Sequence, residues 1–278
     1  MIQLFPKLQR NILIYSVLLI ACMLLIHFLQ PATSTVMLVV ITIIGLIAIL
    51  ISQLSTATNM HNALLNTLYS QMDVDRFLRE YEPKMALKKW TNTVDVMMRM
   101  HLSNAYVAQG RFKDAEAILK GCSLPEPKSP KQKEQSMLSR FAVTSNLCYV
   151  KEQEGDQEAA QAYLDELLDL KGQLEEIQKT KPENKQITFS TVLNEQCMAF
   201  LKTGKADTEV LRAQIKANPQ TLPRVTGSLW LARAELAQNQ RKEAQERLEK
   251  IVKLAPNLYP GKEAARILAS LPSKPEEK

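Results

Sequence analysis

Two stretches near the start of the chain are almost wholly apolar. Residues 12–29 and 36–54 contain no Asp, Glu, Lys or Arg, and His27 is the one histidine among them. Each run is close to the ~20 apolar residues that cross the hydrocarbon core of a bilayer. Between them lies Gln30-Pro31-Ala32-Thr33-Ser34-Thr35. The proline ends a first helix, and the Thr/Ser group can cap a second. A single helix over both runs would be about 64 Å long, roughly twice what a bilayer needs. The pattern therefore predicts a transmembrane helical hairpin over residues 1–55.

Beyond the second run the apolar positions become periodic. Met60, Ala63, Leu64, Thr67 and Leu68 recur at helical spacing, so the second apolar helix is expected to run on past the bilayer. Phe77, Leu78 and Tyr81 then form a short amphipathic turn with Arg76, Arg79 and Glu80, ended by Pro83. This connector, residues 56–90, has two open placements: on the membrane surface, or packed against the domain that follows. From residue 91 to about 270 helical periodicity is broken at Gly110, Gly155, Gly204 and Asn239. Each break reads as the turn within a helix pair. Loops are expected at residues 123–132, which hold three prolines, and at residues 179–185. The polar end, residues 271–278, is expected to be a disordered tail. With eight glycines and no alternating strand pattern, the fold class is all-α.

Charge sharpens the division. All 29 acidic residues and all but two of the 35 basic ones follow residue 72. The exceptions, Lys7 and Arg10, precede the first span, and the hairpin loop is uncharged. Basic flanks stay inside, so the N-terminus and the C-terminal domain are expected on the cytoplasmic face of a multi-pass protein. The mixed surface of the domain argues against nucleic-acid binding, which wants clustered Lys and Arg. A signal-peptide reading of the first span finds a lipoprotein-like box at Leu19-Ile20-Ala21-Cys22. The apolar Met23-Leu24-Leu25-Ile26 after the cysteine opposes it. His27 lies near the end of its run, within reach of the interface, and Gly45 can let the two spans approach closely. The four cysteines show no CxxC spacing and read as reduced thiols.

The turn positions carry a family resemblance. Leu102-Ser103, Tyr106, Gly110, Phe112, Ala115 and Leu119 fall at tetratricopeptide offsets. So do Leu147-Cys148, Gly155, Ala160, Leu164 and Leu167, and again Leu231-Ala232, Asn239, Ala244, Leu248, Ile251 and Pro256. A weaker copy holds Cys197, Phe200 and Gly204, with helix B over residues 207–217. The chain thus resembles a bacterial membrane-anchored tetratricopeptide-repeat protein over residues 91–270. That implies a TPR-like α-solenoid of about four irregular helix pairs, whose concave groove receives a peptide or a partner's helix. Some such grooves clamp a terminal carboxylate. Asn104 and Asn146 fall where two clamp asparagines would be, but Met100, Thr191 and Glu195 stand where the clamp needs cations. Asn104 and Asn146 are therefore the candidate partner-binding residues, as polar groove positions.

No HExxH, GxxxxGK[ST] or GxSxG signature occurs, and His27, His61 and His101 lie far apart in sequence. His101 is expected to pack against its helix neighbours, and Met97, Met98 and Met100 to fill the core, with an adaptable binding surface as the alternative. Catalysis, cofactor, metal and small-molecule substrate are not expected. The expected partners are a protein or peptide and the lipid bilayer. The leading expectation is an interaction scaffold. The alternative is an accessory subunit of a transport or envelope complex in which the hairpin is the working part.

Overall fold

The computed structural model describes residues 2–30, 34–87, 92–124, 129–177 and 185–271. The loops expected at residues 123–132 and 179–185 fall wholly or partly outside the described residues, as does the tail from residue 272. Among the described residues there are twelve α-helices and no strand. This is the all-α, TPR-like solenoid that the repeats imply.

The chain starts with a 3-10 turn, Ile2–Leu4, and two long antiparallel helices, α1 (Pro6–Leu29) and α2 (Thr35–Tyr69). Both are long and apolar enough to cross a membrane. They meet at Gly45, where an added Cβ would lie 2.6 Å from Leu19 Cδ2. α2 continues past the apolar run as one unbroken helix to Tyr69. Its last turns bury Ala57, His61, Leu64, Leu68 and Tyr69. The chain then reverses into α3 (Val74–Tyr81), capped by the Asp73 carboxylate, which accepts from Arg76 N. Phe77 and Tyr81 are fully buried, with rings stacked at 4.6 Å. Of the two placements open to the connector, the packed one is observed, since neither ring is free to meet lipid.

Four helix pairs follow. They are α4 (Asn92–Gln109) with α5 (Phe112–Lys120), α6 (Pro130–Glu154) with α7 (Gln157–Ile177), α8 (Lys185–Thr203) with α9 (Thr208–Ala217), and α10 (Thr221–Ala237) with α11 (Arg241–Leu254). Gly110, Gly155, Gly204 and Asn239 end the first helix of each pair with φ between 62° and 78°. In three of the turns the next residue donates back five positions: Arg111 N to Tyr106 O, Asp156 N to Lys151 O, and Gln240 N to Glu235 O. These are left-handed C-caps, and they satisfy carbonyls that the helix ends would otherwise leave open. Fully buried Glu235 then joins three helices, accepting from Arg247 at 2.7 Å and from Arg212 at 3.0 Å.

A final helix, α12 (Tyr259–Ser270), was not distinguished in the sequence. It packs on α11 and reaches back to α4 at the other end of the array. Tyr259 lies 4.9 Å from Phe112, edge to face, and also covers Gly110. α10 likewise touches α2. Repeats in an open solenoid touch only their neighbours, whereas here the two ends also meet. One apolar core runs through the N-terminal turn, the tip of α2, the first pair, and the last pair with α12. The physical reason is curvature: the solenoid bends far enough for its ends to share a core around the tip of α2.

The turn from α11 into α12 has a tight point. A Cβ on Gly261 would sit 1.9 Å from the carbonyl oxygen of Ala255, which is backbone and cannot rotate away. Gly261→Ala is expected to cost about 3 kcal/mol through overpacking, read as a lower thermal melting point. A variant melting with the native chain would show that this turn yields to the extra carbon at no cost.

Candidate functional site

The first helices of the four pairs and the tip of α2 enclose two adjoining cavities of about 140 and 340 Å³. Residues common to both are Tyr69, Asn104, Ser145, Asn146, Phe189, Ser190 and Pro223. This is the concave groove, and it contains both asparagines singled out from sequence. Asn104 Nδ2 donates to the Tyr69 hydroxyl at 2.8 Å, and Asn146 Nδ2 donates to Ala142 O one turn back at 2.8 Å. Leu193, Asn194, Leu222 and Thr226 extend one wall.

Met100 lines the groove, as its place at a clamp position implied, and Met98 is fully buried as expected. Thr191 is fully buried and bonded to Ile187 O, so it is no clamp position. The face that α8 turns to the groove holds Phe189, Ser190, Leu193 and Asn194 instead. Asn194 was missed. Its signal was a polar residue among apolar ones on one helical face, and it is 1% exposed, donating to Ser145 O and Oγ at 3.2 Å each. Tyr69 was missed because it belongs to α2, which sequence reading assigned to the membrane anchor and its extension.

Behind the groove wall lies a polar cluster that sequence distance concealed. His61 and His101 are 5.9 Å apart between ring centroids, and Tyr81 is 5.9 Å from His61. The Tyr69 hydroxyl accepts from Asn104 and shares a 2.8 Å hydrogen bond with His101 Nδ1. Burial lowers the His101 pKa to about 3, and the nearby His61 adds to the effect. His61 is 2% exposed and neither ring nitrogen has a partner. Burial lowers it to about 4, with the Lys84 charge contributing. Lys84 Nζ in turn donates to Leu4 O at 3.3 Å and lies over the Phe5 ring, tying the N-terminal turn to the connector.

A second buried centre sits where α6, α7 and α8 meet. Cys148 Sγ lies 3.4 Å from both Glu152 Oε1 and Ala160 O, and its one proton can go to either. Glu152 is 2% exposed and its Oε2 has no partner. Burial raises its pKa to about 8 despite hydrogen bonds with Cys148 and Cys197. Burial also pushes both thiols well above the usual range, which leaves them protonated and unreactive. Among the described residues no group of three or more His, Cys, Asp or Glu side chains is arranged to hold a metal ion.

What the arrangement offers is a surface for binding, with aromatic walls and amide groups. The sequence matches the tetratricopeptide repeat family over residues 99–120 and 226–250, that is, α4–α5 and α10–α11, the first and last pairs. No curated protein and no solved structure matches the chain. The matches and the four turn-capped helix pairs together support its identification as a tetratricopeptide-repeat protein.

Proposed function

We propose that the chain is a membrane-tethered protein–protein interaction scaffold of bacterial type, whose groove binds a peptide or protein partner, with Asn104 and Asn146 among the contacts. The observation that carries the reading is the groove itself. It is concave, lined by the first helices of all four pairs, and built from side chains that bind rather than react. Tetratricopeptide folds are typically interaction modules, and peptide recognition in a helical groove fits the geometry.

Tethering rests on the hairpin. Its side chains face outward without partners: Leu13 is 66% exposed, Phe28 82% and Val36 73%. A surface of that kind is costly in water and at ease in lipid. The N-terminal turn packs beside Lys84, at the end of the hairpin that carries the repeat domain. Lys7 and Arg10 lie at that same end, so the domain belongs on the cytoplasmic side by the charge rule. Held in two dimensions, the groove meets other membrane proteins at raised effective concentration.

The test is a photo-crosslinking amino acid placed at position 146 of the full chain in native membranes, with position 249 as control. A discrete adduct at 146 and none at 249 is expected. Equal labelling at both positions would sink the groove reading. One observation favours a second reading: an apolar cavity of about 230 Å³ opens between α1 and α2, lined by Met23, His27, Leu38 and Thr42 among others. If the hairpin is the working part of a transport or envelope complex, residues 1–60 alone would retain that complex.

A further inference from the structure

The start of the chain does not end where the hairpin begins. Ile2, Leu4, Phe5 and Leu8 are buried, whereas Leu13, Ile14 and Leu18 farther along α1 are exposed. The four buried side chains join the core that holds Ala57, Leu64 and Leu68 of α2, Phe77 and Tyr81 of α3, and Leu102 of α4. Their seat also has a polar fastening. Lys84, in the 3-10 turn Glu82–Ala86, donates to Leu4 O at 3.3 Å and lies 4.7 Å from the centre of the Phe5 ring.

Leu4 and Lys84 are 80 residues apart. Closing so long a loop unguided costs much chain freedom. Here two antiparallel helices guide it: α1 runs out for about 36 Å, and α2 brings the chain back beside its starting point. The N-terminal turn then packs directly on α2. α2 in turn touches α10 of the last pair, and its Tyr69 hydroxyl accepts from Asn104 of the first. The turn therefore backs the one helix that stands between the two ends of the solenoid. The middle of the array has its own core, where Phe141, Leu164, Leu167 and Ile187 pack together across α6, α7 and α8, and the turn has no part in it.

Resting on the groove reading above, we infer that residues 2–8 are a strap, delivered by the hairpin, which holds the tip of α2 against α4 and α10 and so fixes the groove wall that carries Tyr69. The shape of the groove is then conditional on a segment that lies on the far side of the hairpin in sequence. Releasing the strap loosens that wall and leaves the apolar run of α1 and the α6–α8 core as they were.

The test compares three full-length chains in lipid nanodiscs by segment-resolved amide hydrogen exchange: the native chain, Leu4→Ser with Phe5→Ser, and Phe28→Ser as a control at an exposed hairpin position. The photo-adduct at position 146 is measured for each in native membranes. In the double variant, exchange in the last turns of α2, in α4 and in α12 is expected to be about tenfold faster or more, with α7 and α8 unchanged. The adduct should fall by a similar factor, and Phe28→Ser should match the native chain throughout. Unchanged exchange at the tip of α2 would overturn the inference. So would equal loss of protection in α7 and α8, because the turn would then be part of one general core. Faster exchange with an undiminished adduct would overturn it as well, since the groove would not depend on the strap. If the native chain gives no discrete adduct at 146, the groove reading falls, and the exchange pattern alone decides whether the strap holds α2.

Discussion

A chain carrying His61→Phe and His101→Gln is expected to lose about 5 kcal/mol less stability than the native chain between pH 6.5 and pH 4. The native imidazoles sit in the folded protein with pKa values near 4 and 3, against 6.5 for the model value. Between those limits the unfolded chain holds protons that the folded one refuses. Each pH unit of fall therefore favours unfolding by about 1.4 kcal/mol per histidine. His101 accounts for about 3 kcal/mol of this and His61 for about 2.5 kcal/mol. Protonation would also set a charge inside the buried cluster that joins α4 to the tip of α2. Urea unfolding at pH 7, 5 and 4 for both chains measures the difference. Identical acid losses would show that the pair is not kept neutral by burial.

The comparison must be between chains because another group acts in the opposite direction. Replacing Glu152 with Gln is expected to stabilise the domain by about 3 kcal/mol at pH 7 and to do nothing at pH 4. Glu152 has a folded-state pKa raised to about 8 from 4.5, with burial as the leading cause. The folded chain therefore keeps a proton that the unfolded chain releases, and its stability drains as pH rises from 4.5 to 8. Gln keeps the shape and an oxygen to receive from Cys148 and Cys197, and has no charge to acquire. A Glu152→Gln chain with the same stability as the native at pH 7 would mean the carboxyl is hydrated or paired after all. Acting together, the histidines penalise acid and Glu152 penalises base, so the native fold should be firmest near pH 6.

Much of this architecture was legible one residue at a time. Uncharged runs marked α1 and α2, and Gly110, Gly155, Gly204 and Asn239 marked the four turns because left-handed backbone admits few residue types. Asn104 and Asn146 were placed in the groove by repeat offsets, and both line it. What escaped depended on contacts between distant segments. Nothing near His61 in the sequence announces His101, and nothing near Tyr259 announces Phe112. The register of α8 escaped for a local reason. Repeat offsets pointed to Thr191 and Glu195, and the apolar and polar residues mixed on both faces of α8 gave no sign that Ser190 and Asn194 turn to the groove instead. The connector had two fair readings because Phe77 and Tyr81 suit lipid and protein interior equally well, and burial decided between them.

The unbroken run of α2 from Thr35 to Tyr69 has a mechanical meaning. At 1.5 Å per residue, Tyr69 stands about 22 Å beyond residue 54 along one stiff rod. Its ring is part of the wall any occupant must press against. In the tethered reading, one rigid helix has its first turns in lipid and its last turn in the groove wall, so the two ends share a single mechanical element.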